Sequence, residues 1–103
     1  MLPHELTGLL GLAQRAGKVV IGSTAVSHEV RRPRQALLVI FAADFSPSAR
    51  EKVLAKATAT PKILEIGTMA EWGEFFGRQK VGVIAVVDKN FAAGILQKVT
   101  PSA

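Results

Sequence analysis

The sequence predicts an α/β protein, a three-layer α/β/α sandwich around a mixed sheet of about four strands. Segments with apolar residues at helical spacing alternate with short apolar runs along the chain. Two of these runs, at 36–41 and 81–87, contain only apolar residues and glycine. Such strands have to be covered on both faces, because a half-exposed strand alternates between apolar and polar residues. The length of 103 residues suits one domain over residues 1–103.

The first two predicted helices flank a short strand. Residues 5–16 place apolar side chains on one helical stripe, which consists of Leu6, Leu9, Leu10, Ala13 and Ala16. Gly17 is expected to stop this helix, and the β-branched run at 18–21 predicts a strand. Ser23 is expected to cap a second helix that reaches about residue 31, because serine side chains accept hydrogen bonds from first-turn amides.

The same alternation continues through the middle of the chain. The run at 36–41 predicts the central strand of the sheet. Ser46 followed by Pro47 is typical of a helix start, and the helical spacing continues until Pro61. Another short strand is expected at 63–66.

Two further helices complete the pattern. Thr68 and Glu71 predict a capping box for a fourth helix, which is expected to end at Gly77. The run at 81–87 predicts the last strand, and a final helix follows it. That helix is expected to be capped by one of two residues, Asp88 or Asn90.

Composition excludes several kinds of site. The chain has no cysteine, which excludes disulfides, thiolate-bound metals and thiol chemistry. Its apolar runs are much shorter than the ~20 residues of a membrane-spanning helix. The first residues do not resemble a secretory leader, so cytoplasmic residence is expected. The net charge of +5 favours a polyanionic partner.

Catalytic motifs are also absent from the sequence. It contains no phosphate-binding loop, dinucleotide fingerprint or nucleophile elbow, so we expect neither enzymatic activity nor a cofactor. The two histidines, His4 and His28, are not expected to bind a metal. Asp44 and Asp88 each follow a predicted strand. Two roles are open for them: an acidic pair at one sheet edge, or capping of the helices that follow, which is favoured.

Most of the net charge lies in one fifth of the sequence. Residues 15–34 contain five basic residues and one acid, which gives +4 of the total +5. The predicted second helix exposes His28 and Arg31 on one face with a threonine. A phosphate is expected to bind amides at the start of this helix, those of Gly22, Ser23 and Thr24. The alternative is that Ser23 only caps the helix and the arginines only solvate it.

A second polar segment precedes the last predicted strand. It consists of Arg78, Gln79 and Lys80 and adds a charge of +2. We expect it to extend the basic surface if the first and fourth strands end on the same edge of the sheet. The neighbouring aromatic residues share one helical stripe, which favours a core role over base stacking, and they are Trp72, Phe75 and Phe76.

Residues 9–22, Leu-Leu-Gly-Leu-Ala-Gln-Arg-Ala-Gly-Lys-Val-Val-Ile-Gly, resemble the opening of bacterial YlxQ-type proteins. These are members of a ribosomal superfamily that includes the archaeal kink-turn-binding protein and the eukaryotic "L thirty e" protein. The similarity continues through residues 36–41, 43–46 and 83–92. The resemblance implies a three-layer α/β/α fold and binding of RNA, typically at a kink-turn, by the start of helix two.

The same resemblance identifies contact positions. The family motif reads Gly-x-Asn-Glu-x-x-Lys, and the matching residues here are Gly22, Thr24, Ala25 and His28. Only the glycine is retained, so weakened kink-turn specificity is expected. The family's second RNA contact is the loop before the last strand, which matches residues 76–81 here. The expected RNA-binding residues are Lys18, Gly22, Ser23, Thr24, His28, Arg31, Arg32, Arg78, Gln79 and Lys80.

These observations predict a non-catalytic, monomeric RNA-binding protein without cofactor or membrane attachment. Its expected partner is ribosomal RNA, the ribosome or another structured, kink-turn-like RNA. Two alternatives stay open: an RNA-recognition accessory that acts in trans with an RNA-modifying enzyme, and a protein-interaction module whose positive charge is incidental.

Overall fold

Helices and strands alternate along the chain in the computed structural model, which describes residues 2–32 and 38–99. The elements are α1 (His4–Arg15), β1 (Val19–Ile21), α2 (Ser23–Arg31), β2 (Leu38–Phe41), α3 (Pro47–Leu54), β3 (Lys62–Glu65), α4 (Met69–Phe76), β4 (Val83–Val86) and α5 (Lys89–Val99). The predicted alternation is confirmed. The first two residues of the predicted central strand, 36 and 37, lie outside the described residues.

The strands form one mixed sheet in the order β1-β4-β2-β3. β4 pairs antiparallel with β1 and β2, and β2 pairs parallel with β3. Every residue of β2 and β4 is buried, α1 packs against α5, and α2 packs against α3. The two inner strands are therefore covered on both faces, and the predicted three-layer α/β/α sandwich is confirmed. No helix in the described part of the chain is long and apolar enough to cross a membrane.

β3 departs from the predicted pattern of strands covered on both faces. It lies at the edge of the sheet, and Lys62, Ile63 and Glu65 are exposed. An edge strand has a neighbour on one side only, so its charged residues can stay in water. The interpretation of buried apolar strands thus holds for the sheet centre and not for this edge.

Several predicted helix ends are confirmed by their hydrogen bonds. The Thr68 hydroxyl accepts from the Glu71 amide over 3.1 Å, and the Glu71 carboxylate accepts from the Thr68 amide over 3.0 Å. Gly77 ends α4 in the left-handed conformation with φ 72°. The Ser46 hydroxyl caps α3 by accepting from the Ala49 amide over 3.2 Å. Each such cap contributes about 1 kcal/mol to stability.

Two predicted helix ends are wrong. α3 ends at Leu54 rather than near residue 60, because the Thr58 amide donates to the carbonyl of Val30 in α2 over 3.1 Å and so leaves the helical path. α2 is preceded by Gly22 as its N-cap residue, and no side chain caps it. Ser23 is therefore the first helical residue and not the cap.

The aromatic residues of α4 belong to the core, as predicted. Trp72 is fully buried and its Nε1–H donates to the carbonyl of Ile66 over 2.8 Å. Phe75 and Phe76 are half-buried and contact each other edge to face, with ring centroids 4.8 Å apart. All three rings are thus used in packing. Because Trp72 is fully buried, it cannot be a stacking platform for RNA bases.

Candidate nucleic-acid interface

The turn between β1 and α2 is fixed by the sheet and by a glycine. The Gly22 amide donates to the carbonyl of Val83 over 2.9 Å, and Gly22 has φ 97°. Residues with a side chain rarely adopt this conformation, so the turn favours glycine. A Cβ at Gly22 would meet nothing within 4 Å apart from its chain neighbours, so the space beside the turn is open. Because the Gly22 amide is already bonded to Val83, the expectation that it binds phosphate is corrected. Of the three predicted amides, those of Ser23 and Thr24 stay candidates.

The exposed face of α2 has the composition that the helical spacing predicts. Thr24, His28 and Arg31 are exposed, as is Ser23. Val26 lies on the opposite face and is completely buried. The first turn of α2 carries no acidic residue, and its last turn carries two basic ones. Polar and basic groups thus extend along the outer side of α2 over its whole length.

Arg32 follows α2 and differs from Arg31 because it has an acidic neighbour. Its Nη1 lies 3.5 Å from Oε1 of Glu29, and its side chain is 62% exposed. Ion pairs of this length in water are weak, so the guanidinium is free to turn toward a phosphate. Arg34, the other basic residue of this segment, lies outside the described residues.

An open groove of about 370 Å³ lies on the surface where α2 packs against α3. The α2 side is lined by five polar or basic residues: Ser23, Thr24, Ser27, His28 and Arg31. The other side and the floor come from Phe45, Ala49, Lys52 and Val53. No acid lines this α2–α3 groove within the described ranges. Sequence reasoning missed Lys52 as a candidate contact, although it adds a third basic side chain to the same surface.

Arg50 holds the segment that forms the floor of the groove. Its guanidinium donates to the carbonyls of Phe45 (2.9 Å), Ala42 (3.0 Å) and Ala43 (3.2 Å), and to the Glu65 carboxylate. Charged donors form stronger hydrogen bonds than neutral ones, so these contacts fix the turn between β2 and α3. Arg50 is therefore a structural residue, and its charge is not available to an RNA phosphate.

The loop at 77–80 reaches the sheet beside the turn at Gly22. Ile21 at the end of β1 lies opposite Ile84 near the start of β4. The condition given for this placement, that β1 and β4 end on the same edge, is not met because the two strands are antiparallel. The loop precedes β4, however, and antiparallel pairing is what brings the start of β4 to the end of β1. The three polar loop residues are exposed, and they are Arg78, Gln79 and Lys80.

Two glycines let this loop region lie close to its neighbours. A Cβ at Gly73 in α4 would collide with the Gln79 carbonyl, and one at Gly82 would collide with the ring of Phe45. The Arg78 amide also donates to the Gly73 carbonyl over 2.7 Å. The loop is therefore packed onto α4. Gly82, which joins the loop to β4, lies against Phe45 of the α2–α3 groove.

Lys18 lies apart from the other candidate contacts. It precedes β1, and the length of an extended strand places it about 13 Å from Gly22. Its carbonyl accepts from the Val87 amide over 2.9 Å, beyond the far end of β4. The structure therefore does not bring Lys18 together with the start of α2, and the described basic residues between 15 and 32 do not form one compact patch.

Asp44 and Asp88 lie at opposite ends of the sheet, because each follows one of the antiparallel strands β2 and β4. Oδ1 of Asp44 accepts from the Met69 amide over 2.8 Å. Oδ1 of Asp88 accepts from the amides of Asn90 and Phe91 over 2.8 and 3.0 Å. Asp88 therefore caps α5, the helix that follows it, as predicted. Asp44 does not cap α3, which is capped by Ser46, and instead accepts from the first residue of α4. The acidic pair is wrong. No group of three or more histidines and acids that could hold a metal occurs in the described part of the chain.

Solved structures share the fold of this chain. A protein with unknown function from Bacillus halodurans has a TM-score of 0.72 and 28% identity, over 90% of this chain and 98% of that chain. The Giardia lamblia 15.5kD RNA binding protein has a TM-score of 0.66 and 21% identity, over 92% of this chain and 84% of that chain. At the latter identity the similarity shows the fold alone.

Sequence similarity is more specific. The RNA-binding protein YlxQ of Bacillus subtilis is 38% identical over 85 residues, which are 82% of this chain and 84% of that protein. Residues 4–96 match the ribosomal protein L7Ae/L30e/S12e/Gadd45 family. Neither description denotes an enzyme, in agreement with the expectation from the sequence, and the predicted resemblance is confirmed. The chain belongs to the ribosomal protein L7Ae/L30e/S12e/Gadd45 family.

Proposed function

We propose that this protein binds structured RNA, without catalysis, through the turn at Gly22, the outer face of α2 and the loop at 77–80. The observation that carries the proposal is the uncapped first turn of α2, which lies behind a glycine with open space beside it. Amides at a helix start are donors for phosphate oxygens, and the helix dipole adds positive potential there. The name of the similar Bacillus subtilis protein, an RNA-binding protein, supports this function.

Charge around the turn supports the same function. His28 and Arg31 extend from α2, and Arg78 and Lys80 extend from the loop, all of them exposed. Exposed cations that neutralise phosphates release counterions, which makes RNA affinity fall as salt rises. These side chains are thus available for a polyanion that spans the helix and the loop.

The preferred RNA is a kink-turn-like element, bound with less discrimination than the family motif provides. The family's Asn, Glu and Lys are replaced by Thr24, Ala25 and His28. Ala25 cannot accept a hydrogen bond from a base, and a lost bidentate base contact costs roughly 1–3 kcal/mol of discrimination. Phosphate contacts at the helix start do not depend on that side chain. We therefore expect the partner to be a structured RNA, either ribosomal or of another kind. We expect the protein to bind it in the cytoplasm, as a monomer or on the ribosome.

A titration followed by fluorescence anisotropy tests the proposal. The full chain is titrated with a kink-turn RNA and with a plain duplex of equal length, at several salt concentrations. We expect both to bind at low salt, with a modest preference for the kink-turn. Equal affinities would remove the kink-turn preference, and absence of binding to both RNAs at low salt would remove RNA binding itself.

A charge-reversal pair locates the site. Arg31→Glu is expected to weaken RNA binding and to reduce the salt slope by about 1, the loss expected for one phosphate contact. Lys98→Glu makes the same charge change on α5, which packs against α1, and is expected to keep the wild-type affinity. Equal weakening by both variants would show an effect of net charge only. Retained RNA binding in Arg31→Glu would leave the protein-interaction hypothesis as the better account of α2.

A further inference from the structure

A second group of basic residues lies at the end of the sheet opposite to the turn at Gly22. β4 ends there and the other three strands begin there, because Val86 lies opposite both Val19 and Leu38. Leu38 in turn lies opposite Lys62, the first residue of β3. Four exposed cations belong to the segments at this end, and we call them the far-end cluster: Arg15, Lys18, Lys62 and Lys89.

The backbone holds Lys18 at this end from both sides. Gly17 follows α1 with φ 74°, and the amides of Gly17 and Lys18 donate to the carbonyls of Gln14 and Ala13 over 3.0 and 2.9 Å. These bonds form a Schellman motif, in which the residue after the glycine frequently makes an apolar contact with the helix. Here that residue is an exposed lysine, and its carbonyl accepts from the Val87 amide over 2.9 Å. The helix end thus fixes the backbone of Lys18 and leaves its charge in solvent.

Lys89 lies where helix stability disfavours a cation. It is the first residue of α5, and it follows Val87 by two positions. The dipole is positive at a helix start, so acids are stabilising there and cations are not. Arg15, by contrast, lies in the last turn of α1, where the dipole favours it. The stability of α5 therefore gives no reason for a lysine at position 89, whereas an anion bound at this end does.

The charges of the cluster are open to an external anion. Within the described ranges, neither Lys18 nor Lys89 forms an ion pair. The acid that adjoins the cluster is Asp88, and its Oδ1 accepts from two amides of α5. One carboxylate offsets only one of the four positive charges, so the cluster keeps a clear excess.

The extent of the cluster suits the backbone of a nucleic acid. Lys18 and Lys62 belong to opposite edges of the sheet, which are three strand spacings or about 14 Å apart. Lys89 follows β4, which lies between these edges. Nucleic-acid strands repeat their phosphates every few ångströms along a helix, so a row of this length can contact several of them.

The far-end cluster cannot share one RNA helix with the turn at Gly22. It differs from that turn in the end of the sheet, and Arg15 and Lys89 belong to the layer of α1 and α5 rather than to that of α2. The chain measures 32 × 30 × 28 Å, so an RNA helix bound across the turn would have to bend around the whole domain to reach the cluster.

We propose that the far-end cluster binds the phosphates of a second RNA segment, so that one protein molecule bridges two segments of folded RNA. The inference rests on the proposed function, because the first segment is the one bound at the turn at Gly22. It gives a role to Lys18, which the structure separates from that turn, and it adds Lys89 as a contact residue.

Fluorescence energy transfer between two labelled RNAs tests the bridge. The full chain is mixed with a donor-labelled kink-turn RNA and an acceptor-labelled short blunt duplex at low salt, and native mass spectrometry counts the molecules in each complex. We expect energy transfer and a complex of one protein with two RNAs. Lys18→Glu/Lys89→Glu is expected to abolish the energy transfer while the kink-turn RNA still binds.

Two lysines of α5 provide a matched pair of single variants. Lys89→Glu is expected to weaken binding of the second RNA and to reduce its salt slope by about 1. Lys98→Glu makes the same charge change in the last turn of the same helix and is expected to keep the second RNA. Lys89→Glu places an acid at a helix start, where the dipole favours it, so the midpoint of thermal unfolding should not fall.

The outcomes separate this inference from the proposed function. One RNA per protein in the wild type overturns the inference and leaves the proposed function intact, and failure of every RNA to bind overturns both. Two RNAs held by two protein copies also overturn the inference, because dimerisation then brings the RNAs together. Retained energy transfer in the double variant overturns it as well, as does equal weakening of the second RNA by Lys89→Glu and Lys98→Glu.

Discussion

Replacing Arg50 by alanine tests whether one side chain holds the turn that carries Phe45 and Ala49. Two of its hydrogen bonds, to the carbonyls of Phe45 and Ala42, are partly buried. Hydrogen bonds from charged donors contribute about 1.5 kcal/mol or more each, so their loss should cost about 3 kcal/mol. The bonds to Ala43 and Glu65 are exposed, and water can replace them at little cost. We therefore expect the free energy of unfolding to fall by about 3 kcal/mol.

Urea denaturation monitored by Trp72 fluorescence measures this change. Lys56→Ala removes a basic side chain that is exposed just beyond α3, and it should change stability by about 0.5 kcal/mol or less. Arg50→Lys keeps the charge but lacks the planar set of donors, so it should recover only a minor part of the loss. A cost below about 1 kcal/mol for Arg50→Ala, with an unchanged denaturant slope, would refute the role given to these carbonyl contacts.

Two glycine substitutions give further predictions. Gly22→Ala places a side chain at φ 97° and should cost about 1–3 kcal/mol in urea denaturation, whereas Gly8→Ala, in the exposed middle of α1, should raise stability by about 0.5–1 kcal/mol. Equal effects of the two would contradict the strain at Gly22. Gly73→Ala should displace the loop at Gln79, with a loss of about 1–3 kcal/mol and weaker RNA binding by anisotropy. Unchanged stability would show that the loop moves freely.

Local signals in the sequence were sufficient for most helix ends and for the alternation of elements. Thr68, Glu71 and Gly77 specify the ends of α4 through bonds within one or two turns, so neighbouring residues carry the information. The sheet order depends on pairing between distant segments. That is why Asp44 and Asp88 could be placed at one edge from the sequence, although antiparallel pairing separates them.

The candidate site was predictable to the same extent. The exposed face of α2 could be predicted from the spacing of its buried valines, because helical geometry alone places the other residues on the opposite side. Lys52 lines the groove only because α3 packs against α2. The one feature of the sequence that could have indicated this position is that Lys52 adjoins Val53, which is buried. Ser23 failed as a cap because the bond from Gly22 to Val83 sets the turn, and no local pattern reports a bond across 61 positions.

The position of β4 has a consequence for synthesis of the chain. β4 is the last strand in sequence, yet it lies between β1 and β2 and pairs with both. A nascent chain that has not yet released β4 cannot pair β1 with its native neighbour, and the carbonyl that fixes Gly22 is missing as well. Folding of the sheet and assembly of the proposed RNA surface therefore wait for the same late segment.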